Sequence, residues 1–160
     1  MCRVRARPEG ESMSQRAAPH AVTPCPEVTY DRIQKAVKRA MRSAPVEHEG
    51  VLALQTERAI LTFQLIAEAE LLRVAALIGL RLRADDSAAA AIEAINRLNS
   101  QSVDGTIYLY PSDDPGTRSV GIDSFIPVDQ GLTDAQLNRS VALALSSIGD
   151  LIGALPGPSD

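Results

Sequence analysis

The chain has 160 residues, the length of one domain and enough to bury a core without a disulfide or metal. Hydrophobic residues make up 45% but aromatics only 3%, and Trp is absent, so aliphatic side chains must fill that core and no aromatic platform exists to stack single-stranded bases. A net charge of −4 and a pI near 5.2 argue against nucleic acid, whose binders carry a basic stripe.

Residues 1–27 hold Pro8, Gly10, Pro19, Pro24 and Pro26 and no apolar period, which predicts a disordered leader. Met13 lies inside it and is a second candidate start. The leader opens basic (Arg3, Arg5, Arg7) but no hydrophobic stretch follows, so it fails as a secretory signal. No apolar run is long enough to span a membrane, and the expected location is the cytoplasm. Cys2 and Cys25 both fall in the leader, outside any C-x-x-C spacing, so a metal or redox motif is not expected.

Thr29 is positioned to cap a first helix, with Tyr30, Ile33, Val37, Ala40 and Met41 on its buried face. Pro45 bounds the helix. Its other face carries Arg32, Lys35, Lys38, Arg39 and Arg42, the one concentrated positive patch. That patch reads either as a docking surface for an acidic partner or, more plainly, as a solvated face whose cations suit the helix C-terminus.

From Gly50 the period changes to two. Strands are expected at Val51–Gln55, Ala59–Ala67 and Leu71–Leu82. Leu61, Phe63 and Leu65 share one face with Leu72, Val74, Ala76 and Ile78. Ile60, Thr62, Gln64, Ile66, Arg73, Ala75 and Leu77 take the other. A helix through 60–83 is the rival reading, which the alternating Arg73, Arg81 and Arg83 disfavour. A second helix starts at Asp85, Asp86 or Ser87, buries Ala88, Ala91, Ile92, Ile95 and Leu98, and ends at Asn99 and Ser100. Thr106–Tyr110 and Arg118–Ile126 are strands joined by a hairpin loop, Pro111 to Gly116. Thr133 and Gln136 form a capping-box pattern. The third helix then buries Leu137, Val141, Ala144, Leu145, Ile148, Leu151, Ile152 and Leu155 until Pro156. The fold class is therefore α+β, an antiparallel sheet of about five strands with helices packed on it, in the order α-β-β-β-α-β-β-α. The domain spans 28–155 and residues 156–160 are a loose tail.

No constellation for catalysis, cofactor or metal emerges. His48 between Glu47 and Glu49 is an exposed turn, because adjacent residues cannot all face one ion. Asp113 and Asp114 lack EF-hand spacing. No serine lies in G-x-S-x-G, and no phosphate-binding glycine loop exists. Gly149 and Gly153 read as close helix packing, and the sequon at Asn138 lies mid-helix.

The run Ala94-Ile95-Asn96-Arg97-Leu98-Asn99, then strand, acidic hairpin and strand, then Gly131-Leu132-Thr133 before the last helix, resembles the bacterial YbjN family. The resemblance covers about 29 to 155 and departs at Leu98, where an aromatic often stands. It implies the fold of type III secretion chaperones, often dimeric, with a protein-binding or regulatory role and no catalytic residues. Asn96 and Asn99 read as closing a helix terminus. The expectation is a non-enzymatic binding or chaperone-like module without cofactor, binding a protein or a second copy of itself but neither nucleic acid nor membrane. A small-ligand sensor with a pocket between sheet and helices is the alternative. The candidate partner-binding face is Ile60, Thr62, Gln64, Ile66, Arg73, Ala75 and Leu77, since a two-layer domain covers only one face of its sheet.

Overall fold

A computed structural model describes residues 25–79, 87–111 and 118–155. The expected leader up to residue 24, the continuation of a strand to Leu82, the acidic hairpin loop and the tail lie outside them.

Alternation builds one antiparallel sheet of six strands: β1 (Val46–His48), β2 (Val51–Gln55), β3 (Ile60–Ile66), β4 (Leu71–Ile78), β5 (Thr106–Pro111) and β6 (Arg118–Pro127), in the spatial order β1-β2-β3-β4-β6-β5. The sixth strand is β1, which sequence pattern did not reveal. It is three exposed residues long, too short to show a period. Glu49 and Gly50 join it to β2 with φ of 50° and 76°, the double positive φ that a two-residue hairpin needs. Asn-Gly and Asp-Gly advertise such a turn; Glu-Gly does not.

One sheet face is aliphatic throughout. Leu54, Leu61, Ala76, Ile122 and Ile107 form one buried row across the strands. Leu52, Phe63 and Val74 form the next. Helix α3 (Asp134–Ala154) packs on β4 and β6, and α1 (Tyr30–Met41) packs on α3. The capping box at Thr133 and Gln136 is present, with both backbone N–H groups bonded to the reciprocal side chains. In α1 the buried stripe is Ile33, Ala36 and Val37, whereas Ala40 is exposed. The stripe faces α3, Tyr30 and Met41 pack partly buried against the core as expected, and only Ala40 of the expected stripe turns to solvent.

Helix α2 (Ser87–Gln101) packs on β5. Ala91 and Ile95 are buried, but Ile92 is 48% exposed, so the expected stripe is corrected there. Asn96 is exposed. Asn99 does not end the helix: its side-chain N–H donates to the Ile107 carbonyl and its Oδ1 accepts from the Ile107 N–H, both at 2.8 Å. The amide thus substitutes for a neighbouring strand and closes the β5 edge.

The N-terminal segment is held by the lead-in to α3. The Leu132 N–H donates to the Pro26 carbonyl at 3.0 Å. Gly131 sits at φ +66°, and a Cβ there would lie 2.5 Å from the Cys25 carbonyl oxygen, so only glycine fits. Arg32 completes the junction. Its Nη1 donates to the carbonyls of Pro26 (3.0 Å) and Glu27 (2.6 Å), its Nη2 to that of Leu132, and Nε and Nη2 both to Asp134 Oδ1 at 2.9 and 2.7 Å. The expected leader ends at 27, yet residues 25–27 are thus bonded to the domain. Two chains, one starting at Cys25 and one at Val28, test that junction. The shorter leaves three acceptor contacts unmade and is expected to lose about 2 kcal/mol in urea unfolding. Equal midpoints would show that these bonds contribute nothing.

Candidate functional site

The helices cover only the aliphatic face. The opposite face, called outer below, is built by the other half of each alternation. Strand register places Ile60 opposite Leu77, Thr62 opposite Ala75 and Gln64 opposite Arg73, so these six expected residues form a patch, with Ile66 at its end opposite Leu71. Their exposure differs. Ile60 and Leu77 are 39% and 41% exposed, and Thr62, Gln64, Ile66 and Arg73 are partly covered. Ala75 is buried, so it offers no contact surface. It is a methyl group in the middle of the sheet, with Thr62 on one side and Asp123 on the other.

Strands β5 and β6 supply the rest of this face, and sequence reasoning did not include them. Arg73 lies opposite Phe125, Ala75 opposite Asp123 and Leu77 opposite Gly121. The signal was available: Val120, Ile122 and Ile126 are buried, which turns Gly121, Asp123 and Phe125 outward by period two. Arg73 Nη2 donates to Asp123 Oδ1 at 2.9 Å and to the Tyr108 hydroxyl at 3.0 Å, while that hydroxyl lies 3.2 Å from the same carboxylate oxygen. Gly121 makes this possible. The Tyr108 ring crosses the strand directly above it, and a Cβ there would come within 2.2 Å of the ring. Around this polar centre stand Ile60, Leu77, Phe125 and Tyr110, the last with its ring tilted 6.1 Å from that of Tyr108.

The polar centre is internally satisfied. The Asp123 hydrogen bond, more than any other influence, raises the Arg73 guanidinium above its ordinary value. Burial, followed by the Asp123 carboxylate, raises the Tyr108 phenol. Arg73, Asp123 and Tyr108 thus satisfy one another within the face. Among the described residues no three His, Cys, Asp or Glu side chains converge on a metal position. His48, Glu47 and Glu49 are exposed around the β1–β2 hairpin. No described helix is long and apolar enough to cross a membrane.

A second feature lies between sheet and helices. Where α1, α3 and the β2–β3 turn meet, Met41, Leu61, Leu145, Ile148 and Ile152 line an open apolar depression of about 400 Å³. Arg58 closes one side by donating to the Ile152 carbonyl at 3.2 Å.

The model of the YbjN family, described as "Putative bacterial sensory transduction regulator", matches residues 29–156. Among solved structures, the crystal structure of YbjN from E. coli is similar at a TM-score of 0.63 and 17% identity, covering 78% of this chain and 89% of that one. The HopA1-SchA chaperone-effector complex reaches a TM-score of 0.47 at 14% identity, over 77% of this chain and 88% of that one. No curated protein matches the chain.

The raised Tyr108 phenol gives a test of the polar centre. Folding favours its protonated form, so its contribution to stability is full below the ordinary tyrosine value of about 10. That contribution is lost as pH rises through the higher folded value. Alkaline titration followed by phenolate absorbance should lose one late-ionising phenol in Tyr108→Phe. A lost phenol that ionises at the ordinary value would mean the ring is not held over Gly121.

Proposed function

Because the chain belongs to the YbjN family, we propose that it is a non-enzymatic protein-binding module, chaperone-like or regulatory, that receives its partner on the outer face of the sheet. The observation that carries this reading is that face itself. Its own helices leave it bare, and Ile60, Leu77, Phe125 and Tyr110 stand exposed around the paired Arg73, Asp123 and Tyr108. Apolar groups around a polar centre are the make-up of a protein interface. The partner is another protein or a second copy of the chain, not nucleic acid or membrane, and the setting is the cytoplasm. Residues 28–155 act as the binding domain, with 25–27 bonded to it, residues 1–24 as a leader and 156–160 as a tail.

The apolar depression at Met41, Leu61, Leu145, Ile148 and Ile152 favours a second reading, a small-ligand sensor. It carries Thr56, Glu57 and Arg58 at its rim but is open to solvent and would enclose little of a ligand, so it ranks below the sheet face.

Leu77→Glu separates the two. At an interface the new carboxylate is desolvated without a partner, which costs about 3 kcal/mol, or roughly a hundredfold in Kd. Gel filtration of the wild type, alone and with proteins it retains from a native lysate, is expected to show a dimer or complex that Leu77→Glu dissociates. The circular dichroism spectrum should not change, because the helix-side core is untouched. A wild type that is monomeric and retains no protein, or an unfolded Leu77→Glu, sinks the assignment. A stoichiometric small molecule in the purified protein would support the sensor instead.

A further inference from the structure

The helical side of the domain carries a second surface with a different character. Between α1 and α3 runs an open groove of about 460 Å³. Its two walls present Arg39 from α1 and Arg139 from α3, with the methyl groups of Ala36, Ala40, Ala135 and Ala142 between them. A second depression of about 320 Å³ shares Arg39 and Asn138 with it and reaches Lys35. The basic face of α1 thus lies along a concave surface.

These cations are not alike. Arg32 is fully engaged by Asp134 and three carbonyls, and Lys35 pairs with Asp31 one turn away at 2.7 Å. Arg39 and Arg139 are exposed and take part in none of the ion pairs among the described residues. The only carboxylates on these two helices near the groove, Asp31 and Asp134, are already held by Lys35 and Arg32. Two guanidinium groups on opposite walls, neither in an ion pair among the described residues, make a local positive field in a chain of net charge −4.

We propose that this groove is a docking site for an acidic amphipathic helix of a partner protein, distinct from the outer sheet face. A helix is chosen over a phosphate because the floor is methyl groups, not backbone N–H donors. It is chosen over nucleic acid or a membrane because two guanidinium groups in one groove make neither the long basic stripe nor the polybasic cluster that those polyanions need. Ala135 and Ala142 lie seven residues apart, about two helical turns, so about two turns of an incoming helix can rest between the walls while its ends run beyond them. Small floor residues permit a close approach. Carboxylates on its two flanks then meet Arg39 and Arg139, each able to take one bidentately.

The probe is a fluorescent 18-residue helical peptide of Ala and Leu with Glu on both flanks, titrated at low salt. Controls are the same peptide with Lys for Glu, a duplex DNA and anionic lipid vesicles. The Glu peptide alone is expected to bind. Arg39→Glu with Arg139→Glu should weaken it at least tenfold while the far-ultraviolet spectrum is unchanged, and Arg39→Ala with Arg139→Ala should weaken it less. Ala142→Met fills the floor without changing charge and should also weaken it severalfold. Leu77→Glu, on the outer sheet face, should leave it unaltered, so this site stands or falls separately from that one. The proposal is overturned if the Glu peptide does not bind, if the Arg variants bind it equally, or if Ala142→Met has no effect. DNA or vesicles binding through the same arginines would overturn it in favour of a polyanion site.

Discussion

The Arg32 guanidinium decides how α1 and α3, the two helices packed on each other, meet at their starts. It has five N–H donors, and five contacts to acceptors from two separate segments surround it: the approach to α1 at Pro26 and Glu27, and the entry to α3 at the Leu132 carbonyl and the Asp134 carboxylate. Its side chain is 16% exposed while that of Asp134 is 84% exposed, so the energy rests on satisfying a mostly buried cation more than on the ion pair. Lysine, with three donors on one point, could not hold this geometry. By fixing the start of α1 against the start of α3, Arg32 sets which stripe of α1 is buried. Val37 and Ile33 turn inward, and Arg39 is left on the groove wall.

The same layer arrangement leaves the sheet with two unequal edges. At β5 the Asn99 amide occupies both free backbone groups of Ile107. At the other end β1 is limited to three residues, with Glu47 at its centre and Glu49 just beyond it, a short charged edge that resists pairing with further strands. Tyr30 braces this end, since its hydroxyl accepts from the Leu65 N–H at 3.1 Å and donates to the Gly50 carbonyl. Both edges are thus managed, which leaves the open face as the surface on which the proposed association would occur.

Much of this was legible in the residue pattern. The period-two runs in Ile60–Ile66 and Leu71–Ile78 gave strands and assigned their faces correctly, and Thr133 with Gln136 announced the third helix. What escaped has physical reasons. Arg32 looked like its neighbours on a basic face, because nothing local tells a cation bonded to carbonyls 100 residues away from one in water. Asn99 looked like a helix cap, because its partner is the backbone of a strand that only tertiary packing delivers. Tyr108 and Asp123 sit on different strands, and their meeting with Arg73 depends on the register of β4 against β6 and of β6 against β5. Gly121 was the accessible clue. A glycine within an apolar strand marks a place where something lies close over the backbone.

That close approach also explains how an apolar outer face can hold charges without being spoiled as an interface. An isolated arginine or aspartate in the middle of such a face would have to be stripped of water when a partner arrived, at a cost its new contacts rarely repay. Here Arg73 and Asp123 are already paired, partly covered by each other and by the Tyr108 ring, before any partner arrives. Much of the desolvation has taken place during folding, where the pair is geometrically held by three neighbouring strands. For the proposed partner, what remains is the ring of Ile60, Leu77, Phe125 and Tyr110, whose burial would be favourable, and the lone pairs and N–H groups of a fixed polar centre, which would select register. The free chain can therefore present this face to water, and a partner can cover it, without either state leaving a buried charge unanswered.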